Sequence, residues 1–168
     1  MNVLILTWEF PPNMTGGLGR HVAELAPALA NLGISVHVLT PSPDKISSTE
    51  IVRPNLAIHR VTTNKLNLEG DIYAQAIATN PALLEAAQRL WLELGGFSLI
   101  HVHDWLVSFA AISLKAQYKC PIIATIHATE KGRWRSESLS NPLSQLIDQA
   151  EQDLMHEAWR VIACSQYM

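Results

Sequence analysis

The sequence predicts an α/β fold in which a doubly wound parallel sheet carries helices on both faces. Three observations carry that prediction. Short apolar runs alternate with helical stretches along the whole chain, as repeated strand–helix–strand units do. One run, Pro121-Ile122-Ile123-Ala124-Thr125-Ile126, is almost continuously apolar, as a strand covered on both faces must be. Between the first apolar run and the first helix lies a loop, Trp8 to His21, with two prolines and three glycines. The prolines stiffen its first half, and the glycines let the second half bend and approach a ligand closely.

Taken in order, Val3 to Leu6 reads as the first strand. Leu18, Val22, Leu25, Leu29 and Leu32 then recur at steps of four and three, one stripe of a helix that Gly33 stops. Ile34 to Leu39 reads as a second strand. Residues 42–54 are polar and proline-containing and read as a surface loop. Leu56, Ile58 and Val61 suggest a third strand. Asp71 could cap a short helix, and Asn80-Pro81 looks like the cap and first turn of a longer one lined by Leu84, Ala87, Trp91 and Leu94. Phe97 to Val102 is the next strand and runs into His103-Asp104-Trp105, with Asp104 most simply the cap of the helix after it. After the apolar run 121–126 comes a polar loop, Ala128 to Ser140, and then a helix from Asn141-Pro142 with Leu143, Ile147, Ala150 and Leu154 on its stripe. Val161 to Cys164 is a last strand, and Ser165 stands where a further helix would begin. A chain that stops there is expected to continue in the natural protein.

Composition narrows the class. The 168 residues are 48% hydrophobic and 16% charged, a balance suited to one globular domain with a sizeable core. The formal charge of −3 gives no sign of a nucleic-acid partner. Cys120 and Cys164 lie in or beside apolar runs and read as buried free thiols of a reducing compartment. The start lacks the basic and long apolar regions of a signal peptide, and no segment has the length of a membrane span. A soluble, cytoplasmic protein is expected.

Ligands of an open parallel sheet bind outside the carboxyl ends of its strands. Those ends deliver the Pro/Gly loop, His101-Val102-His103-Asp104, His127-Ala128-Thr129-Glu130 and Ser165 to one edge. Gly16-Gly17-x-Gly19 is not the G-x-G-x-x-G dinucleotide fingerprint, and Val38-Leu39-Thr40-Pro41 stands where a ribose-binding acid would be wanted. It does place unpaired amides at a helix start, which suits a phosphate or carboxylate. Strand alternation puts His101 and His103 on one face. Those two with Asp104 could ligate a metal, but a further ligand cluster would be needed and His127 is the only candidate, so no metal site is expected. Lys131, Arg133 and Arg135 read as a solvated loop rather than an anion clamp. From the residues alone a nucleotide-linked oxidoreductase domain, a metal hydrolase and a non-catalytic sugar-binding domain remain open.

Trp8-Glu9-Phe10-Pro11-Pro12 followed by Gly16-Gly17-Leu18-Gly19-Arg20-His21 resembles the N-terminus of retaining glycosyltransferases of the GT-B fold, glycosyltransferase family four and its glycogen-synthase-like relatives. His101-Val102-His103-Asp104-Trp105, Thr125 to Arg133 and Val161 to Ser165 are similar to the same group. The resemblance implies the Rossmann-like N-terminal, acceptor-side half of a two-domain enzyme, spanning 1–168, with the donor-binding C-terminal domain outside the chain. It implies a nucleotide-sugar donor linked to UDP, ADP or GDP, a sugar, glycan or small-molecule acceptor, and no cofactor. His103 would be the catalytic histidine beside the donor sugar, and Gly16 and Gly17 would meet the donor diphosphate and sugar. Glu9, Arg20, His127, Thr129 and Arg133 would line the acceptor side, with Asp104 supporting His103. Met14 stands where bacterial glycogen synthases carry a basic residue, which favours a broader sugar-transfer role. Without its partner domain the loop from Trp8 to His21 is expected to be unfilled and mobile, and a well-ordered, closed loop would contradict that.

Overall fold

Strand β1 (Asn2–Thr7) is the axis of the molecule, because every residue from Val3 to Thr7 is buried. In the computed structural model, residues 1–42, 46–63, 70–133 and 141–165 are described. The elements that follow are α1 (Gly17–Asn31), β2 (Ser35–Pro41), β3 (Ser48–Arg53), β4 (Leu56–Val61), α2 (Ile72–Leu94) and β5 (Leu99–His103). A 3-10 turn (Trp105–Val107) then leads into α3 (Ser108–Tyr118), β6 (Ile122–Ile126), the short α4 (Glu130–Arg133), α5 (Pro142–Glu157) and β7 (Arg160–Ala163). The sheet order is β3-β4-β2-β1-β5-β6-β7, and every neighbouring pair is parallel except β3 with β4. This is the doubly wound α/β sheet that the alternation predicts.

The winding reverses at β1. From there the chain moves outward through β2 and β4, then returns to the other side of β1 with β5 and moves outward again through β6 and β7. A crevice opens at such a reversal, outside the carboxyl ends of the two central strands.

Side-chain alternation divides the core between the faces. On one face Val3, Ile5, Val36, Val38, Leu56 and Ile58 pack against Leu18, Val22, Ala26 and Ala30 of α1. On the other, Leu4, Leu6, Leu39, Ile100, Val102, Ile122 and Ala124 pack against α2 and α3. Of the expected stripe, Leu18 and Val22 are buried and Leu29 packs beside them, while Leu32 lies past the end of α1 and is exposed; Ala26 and Ala30 complete the buried face. Gly33, at φ +80°, reverses the chain after α1 as expected.

Three expectations are corrected. Residues 48–53 form β3, an antiparallel edge strand, where a loop was read. Ser48, Thr49, Glu50, Ile51 and Val52 are all exposed, so the strand is held by its backbone ladder and carries no apolar alternation to reveal it. Second, α2 is one helix that runs through Pro81. Asn80 is buried inside it, donating to the carbonyls of Ala76 (2.7 Å) and Leu106 (2.8 Å) and accepting from the Ala110 amide (2.8 Å). A polar pair that reads as a helix start is instead a tertiary bolt between α2 and α3. Third, Cys120 is buried but Cys164 is exposed, because β7 is an edge strand. Asp71 caps α2 through the Ala74 amide, and Asn141 caps α5 through the Leu143 amide, as their positions predict. The remainder of the loop expected over 128–140, including Arg135, and any helix after Ser165 lie outside the described residues. Among the described residues, no helix is long and apolar enough to cross a membrane.

Candidate functional site

Sheet register sets the site. Thr7 at the end of β1 lies opposite His103 of β5, and His103 lies opposite Thr125 of β6. The crevice at the reversal is therefore walled by the loop after β1, the histidine tip of β5 and the turn after β6.

The loop after β1 is closed on itself. The carboxylate of Glu9 accepts from the amides of Thr15 and Gly16, both at 3.1 Å, and from the hydroxyl of Thr15. The Phe10 amide donates to the Asn13 carbonyl (3.1 Å), and Arg60 of β4 donates to the Pro11 carbonyl (2.7 Å). The mobile loop expected from the sequence is instead tied down by this network, because the loop carries its own anion for the start of α1. Burial pushes Glu9 up, but the hydrogen bonds from Thr15 and Gly16 outweigh it and hold the carboxyl below its ordinary value. Glu9, assigned to the acceptor side, thus sits on an amide of Gly16, assigned to the donor.

The three glycines are not equivalent. A Cβ on Gly19 would meet Met14 Cγ at 2.8 Å and Glu9 Cβ at 3.1 Å, so loop packing itself requires that glycine. Among the described residues nothing lies within 4 Å of a Cβ on Gly16 or Gly17, and neither has a positive φ. Both face open space at the N-terminus of α1.

At the tip of β5, His103 is fully buried. Its Nδ1 lies 3.1 Å from Nε2 of His127, and its own Nε2 is buried with no hydrogen-bond partner among the described residues. Burial, and then the neighbouring His101, His127 and His21, push His103 far below the ordinary imidazole range, so the ring is neutral at pH 7. His101 lies 4.4 Å from it, centroid to centroid and tilted by 34°, on the same face as alternation requires. Its Nε2 bonds Thr125 Oγ1 at 2.7 Å, and burial lowers its pKa to about 4. It is a core histidine, held by a hydroxyl.

Asp104 departs from the role its position suggests. It makes no cap hydrogen bond to the following turn. With φ at 60° and ψ at 173° its backbone is strained, and its carboxylate turns across the sheet to accept the His127 amide at 2.7 Å. It therefore fixes the turn that presents His127 rather than His103. Burial raises its pKa to about 6, against the pull of that amide and of Arg133. His127 is half-buried, and burial also lowers its pKa. Thr129 accepts the Gly132 amide at 3.0 Å and so caps α4. Arg133 is exposed, pairs with Glu130 at 3.4 Å, and its charge reaches Asp104. Lys131 pairs with Asp148 at 2.9 Å. Arg20 is exposed on the first turn of α1 and lies beside the crevice through its neighbours Gly19 and His21.

Sequence reasoning passed over three participants. His21 of α1 lies against both histidines, with ring centroids 5.5 Å from His103 and 5.0 Å from His127. Its signal was available, since His21 is three residues past Leu18 and adjoins the buried stripe. Cys164 Sγ lies 3.6 Å from His127 Nδ1. Glu151 of α5 is fully buried and accepts the Glu130 amide at 3.0 and 2.9 Å, pinning the turn after β6 from below. A metal set built on His101, His103 and Asp104 is not what the fold assembles. Among the described residues the group close enough to share an ion is His21, His103 and His127.

The family model for glycosyltransferase family 4 matches residues 15–168. The chain belongs to that family. It is 37% identical to a glycogen synthase of Mycobacterium tuberculosis over 184 aligned residues, covering all of this chain and 43% of that protein. The chain therefore spans less than half the length of this curated relative. Among solved structures it is similar to sucrose-phosphate synthase from Thermosynechococcus elongatus, with a TM-score of 0.76 at 19% identity over 95% of this chain and 41% of that one. It is also similar to the catalytic domain of starch synthase IV from Arabidopsis thaliana bound to ADP and acarbose, with a TM-score of 0.53 at 21% identity over 86% of this chain and 38% of that one. The family 4 assignment and these neighbours agree with the GT-B resemblance carried by the sequence motifs.

Proposed function

We propose that this chain is the acceptor-side half of an enzyme that moves a sugar from a nucleoside-diphosphate sugar, linked to UDP, ADP or GDP, to a sugar or glycan acceptor with retention at the anomeric carbon. The observation that carries the reading is the open space over Gly16 and Gly17. Neither backbone conformation nor packing requires glycine there, whereas the close approach of a charged ligand does. Their amides stand at the start of a helix, and Glu9 marks the site as one that accepts an anion. The donor's phosphate takes the place of the Glu9 carboxylate at the Gly16 amide, which frees Glu9 toward the acceptor.

His103 stands across the crevice as a neutral, buried imidazole. A neutral ring can hydrogen-bond the donor sugar without repelling the positive charge that develops at the anomeric carbon. His127, Thr129 and Arg133, presented by the turn after β6, and Arg20 of α1 line the acceptor side. Catalysis rests on positioning and on charge stabilisation of the leaving diphosphate, with no cofactor. Most of the groups that stabilise that diphosphate belong to a C-terminal domain outside these 168 residues, so residues 1–168 alone are inactive. The free thiols Cys120 and Cys164 support a cytosolic setting.

The test uses the full-length enzyme with UDP-, ADP- and GDP-glucose and a maltooligosaccharide acceptor. Release of the nucleoside diphosphate is measured, and the product anomer is read by NMR. Acceptor-dependent release with an α-linked product from an α-linked donor is expected. An inverted product overturns the retaining assignment, and no release with any donor overturns the reading.

A further inference from the structure

Three imidazoles from three separate elements meet at the mouth of the crevice. His21 comes from α1, His103 from the tip of β5 and His127 from the turn after β6. One ring nitrogen from each lies within 4.8 Å of one from each of the others. The ring centroids form a nearly regular triangle, with sides of 5.5, 5.0 and 5.4 Å. We propose that His21, His103 and His127 form a binding site for a borderline-soft divalent transition ion, of which Zn²⁺ is the type, and that an ion held there blocks the crevice to the sugar donor. The blocking half rests on the function proposed above.

The donor set fits that class of ion. Three histidines with an open fourth position toward solvent is a recurrent zinc arrangement, whereas Mg²⁺ and Ca²⁺ prefer oxygen ligands. A tetrahedral ion with bonds of ~2.0–2.1 Å holds its donors ~3.3 Å apart. The His103–His127 nitrogen pair, at 3.1 Å, already has that spacing. The third ligand needs to move by about an ångström or two to close on them. His21 can make that movement, because it is exposed on the surface of α1 while the other two are anchored.

The surroundings prepare the rings. His127 is held on both sides, since its amide donates to Asp104 at 2.7 Å and its Nδ1 faces Cys164 Sγ at 3.6 Å. Groups that orient a ligand in this way tune a metal site as much as the ligands do. The hydrogen bond between His103 and His127 contains one ring proton, and an ion takes its place. If His127 holds that proton, it moves within the ring from Nε2 to Nδ1, where the Cys164 sulfur can accept it; if His103 holds it, it moves to that ring's Nε2. No proton has to leave the protein.

Cobalt(II) is the probe. The 168-residue chain is titrated with Co²⁺ and followed by visible d–d absorption, and Zn²⁺ is then used to displace it. One equivalent should bind with the intensity of a four-coordinate site. His21→Ala should weaken binding at least tenfold with an unchanged circular dichroism spectrum, and His127→Ala should do the same. His21 is exposed, so its variant does not depend on repacking the core. Absence of a d–d band up to millimolar Co²⁺ overturns the site. Binding that His21→Ala leaves unchanged also overturns it and places the ion elsewhere, for example at the His37–His59 pair, whose ring nitrogens lie 3.1 Å apart. In the full-length enzyme, Zn²⁺ should inhibit sugar transfer competitively with the donor, and His21→Ala should raise the inhibitory concentration at least tenfold. Transfer that is indifferent to Zn²⁺ despite intact Co²⁺ binding overturns the blocking role alone. A full-length enzyme that transfers no sugar with or without metal overturns the function proposed above and leaves the ion site standing.

Discussion

Glu9 and Glu151 do the same thing in two parts of the molecule, with opposite electrostatic results. Each carboxylate accepts backbone amides from the turn beside it, Thr15 and Gly16 for Glu9 and Glu130 for Glu151. Glu9 is only partly covered, and its hydrogen bonds win, so it titrates below its ordinary value. Glu151 is fully buried beneath the turn after β6, and burial raises it to about 7 even though the Glu130 amide pulls the other way. Asp104 sides with Glu151, raised by burial to about 6 while bonded to the His127 amide. The same contact therefore means different things. A charged, solvent-reached carboxylate on a helix start can yield its place to a phosphate. A buried one cannot leave, because its amide would lose that acceptor in a place water does not reach. In the function proposed above, one wall of the crevice exchanges partners and the other stays fixed.

The largest effect that would break this contrast concerns His103. In the full-length enzyme, His103→Ala should lower turnover by roughly 100-fold or more, the loss typical of removing one preorganised polar group from a transition state. Circular dichroism should show the fold retained. Near-normal turnover would remove His103 from the chemistry and leave the fixed wall purely structural.

Asp104 tests the fixed wall directly. Asp104→Ala keeps a side chain at φ 60° but removes the acceptor of the His127 amide, and should cost about 2–3 kcal/mol in urea unfolding. Asp104→Asn retains an acceptor and should recover most of that loss. Asp104→Gly relieves the strain and should fall between them. Equal costs for all three would show that the amide contact contributes nothing.

Glu151→Gln sharpens the comparison through pH. In the folded protein Glu151 keeps its proton up to about pH 7, while the unfolded chain releases it near the ordinary value of 4.5. The folded state thus binds more protons across that window, so this group's contribution to stability falls as pH rises from 4.5 to 7 and is level above it. Glutamine cannot ionise. The stability of Glu151→Gln relative to the wild type should therefore rise by about 2 kcal/mol between pH 5 and pH 8. A difference that stays flat with pH would show that Glu151 is ionised in the folded protein as readily as in the unfolded one.

The smallest effect separates the glycines. Gly19→Ala must displace Met14 and Glu9 and should lower stability by about 1 kcal/mol. Gly17→Ala should leave the melting temperature unchanged or slightly raised, since alanine suits the first helical turn better than glycine does, whereas Gly16→Ala at the N-cap should lower stability by a few tenths of a kcal/mol. They should still weaken donor binding by the full-length enzyme. Unaltered donor affinity in both would remove the proposed role of the open space.

Much of the site was legible in the sequence. The strand tips could be placed from apolar runs, so His101, His103 and His127 could be brought to one edge without coordinates. The glycine loop announced an anion-binding helix start. What could not be read was which partner each polar group takes. Asp104 stands where a cap should be, and only the neighbouring strand, 23 residues later in sequence, shows why it turns away. Asn80-Pro81 carries the local signal of a helix start, which its bonds to Leu106 and Ala110 override. Strand β3 was invisible because its backbone ladder, not an apolar face, holds it at the edge.

By itself the sequence determined the parallel α/β sheet and the loop at its centre, because burial on two faces, on one face or on none leaves different periodicities in the chain. Only the tertiary structure decided that Glu9 fills the amide site its own loop creates, that His21 completes a triangle with His103 and His127, and that Asp104 serves a strand other than its own. Those pairings depend on register across the sheet and on the angle at which α1 crosses it. Neither is encoded locally, since a hydrogen bond between residues 23 or 24 apart leaves no periodic trace in the segments that make it.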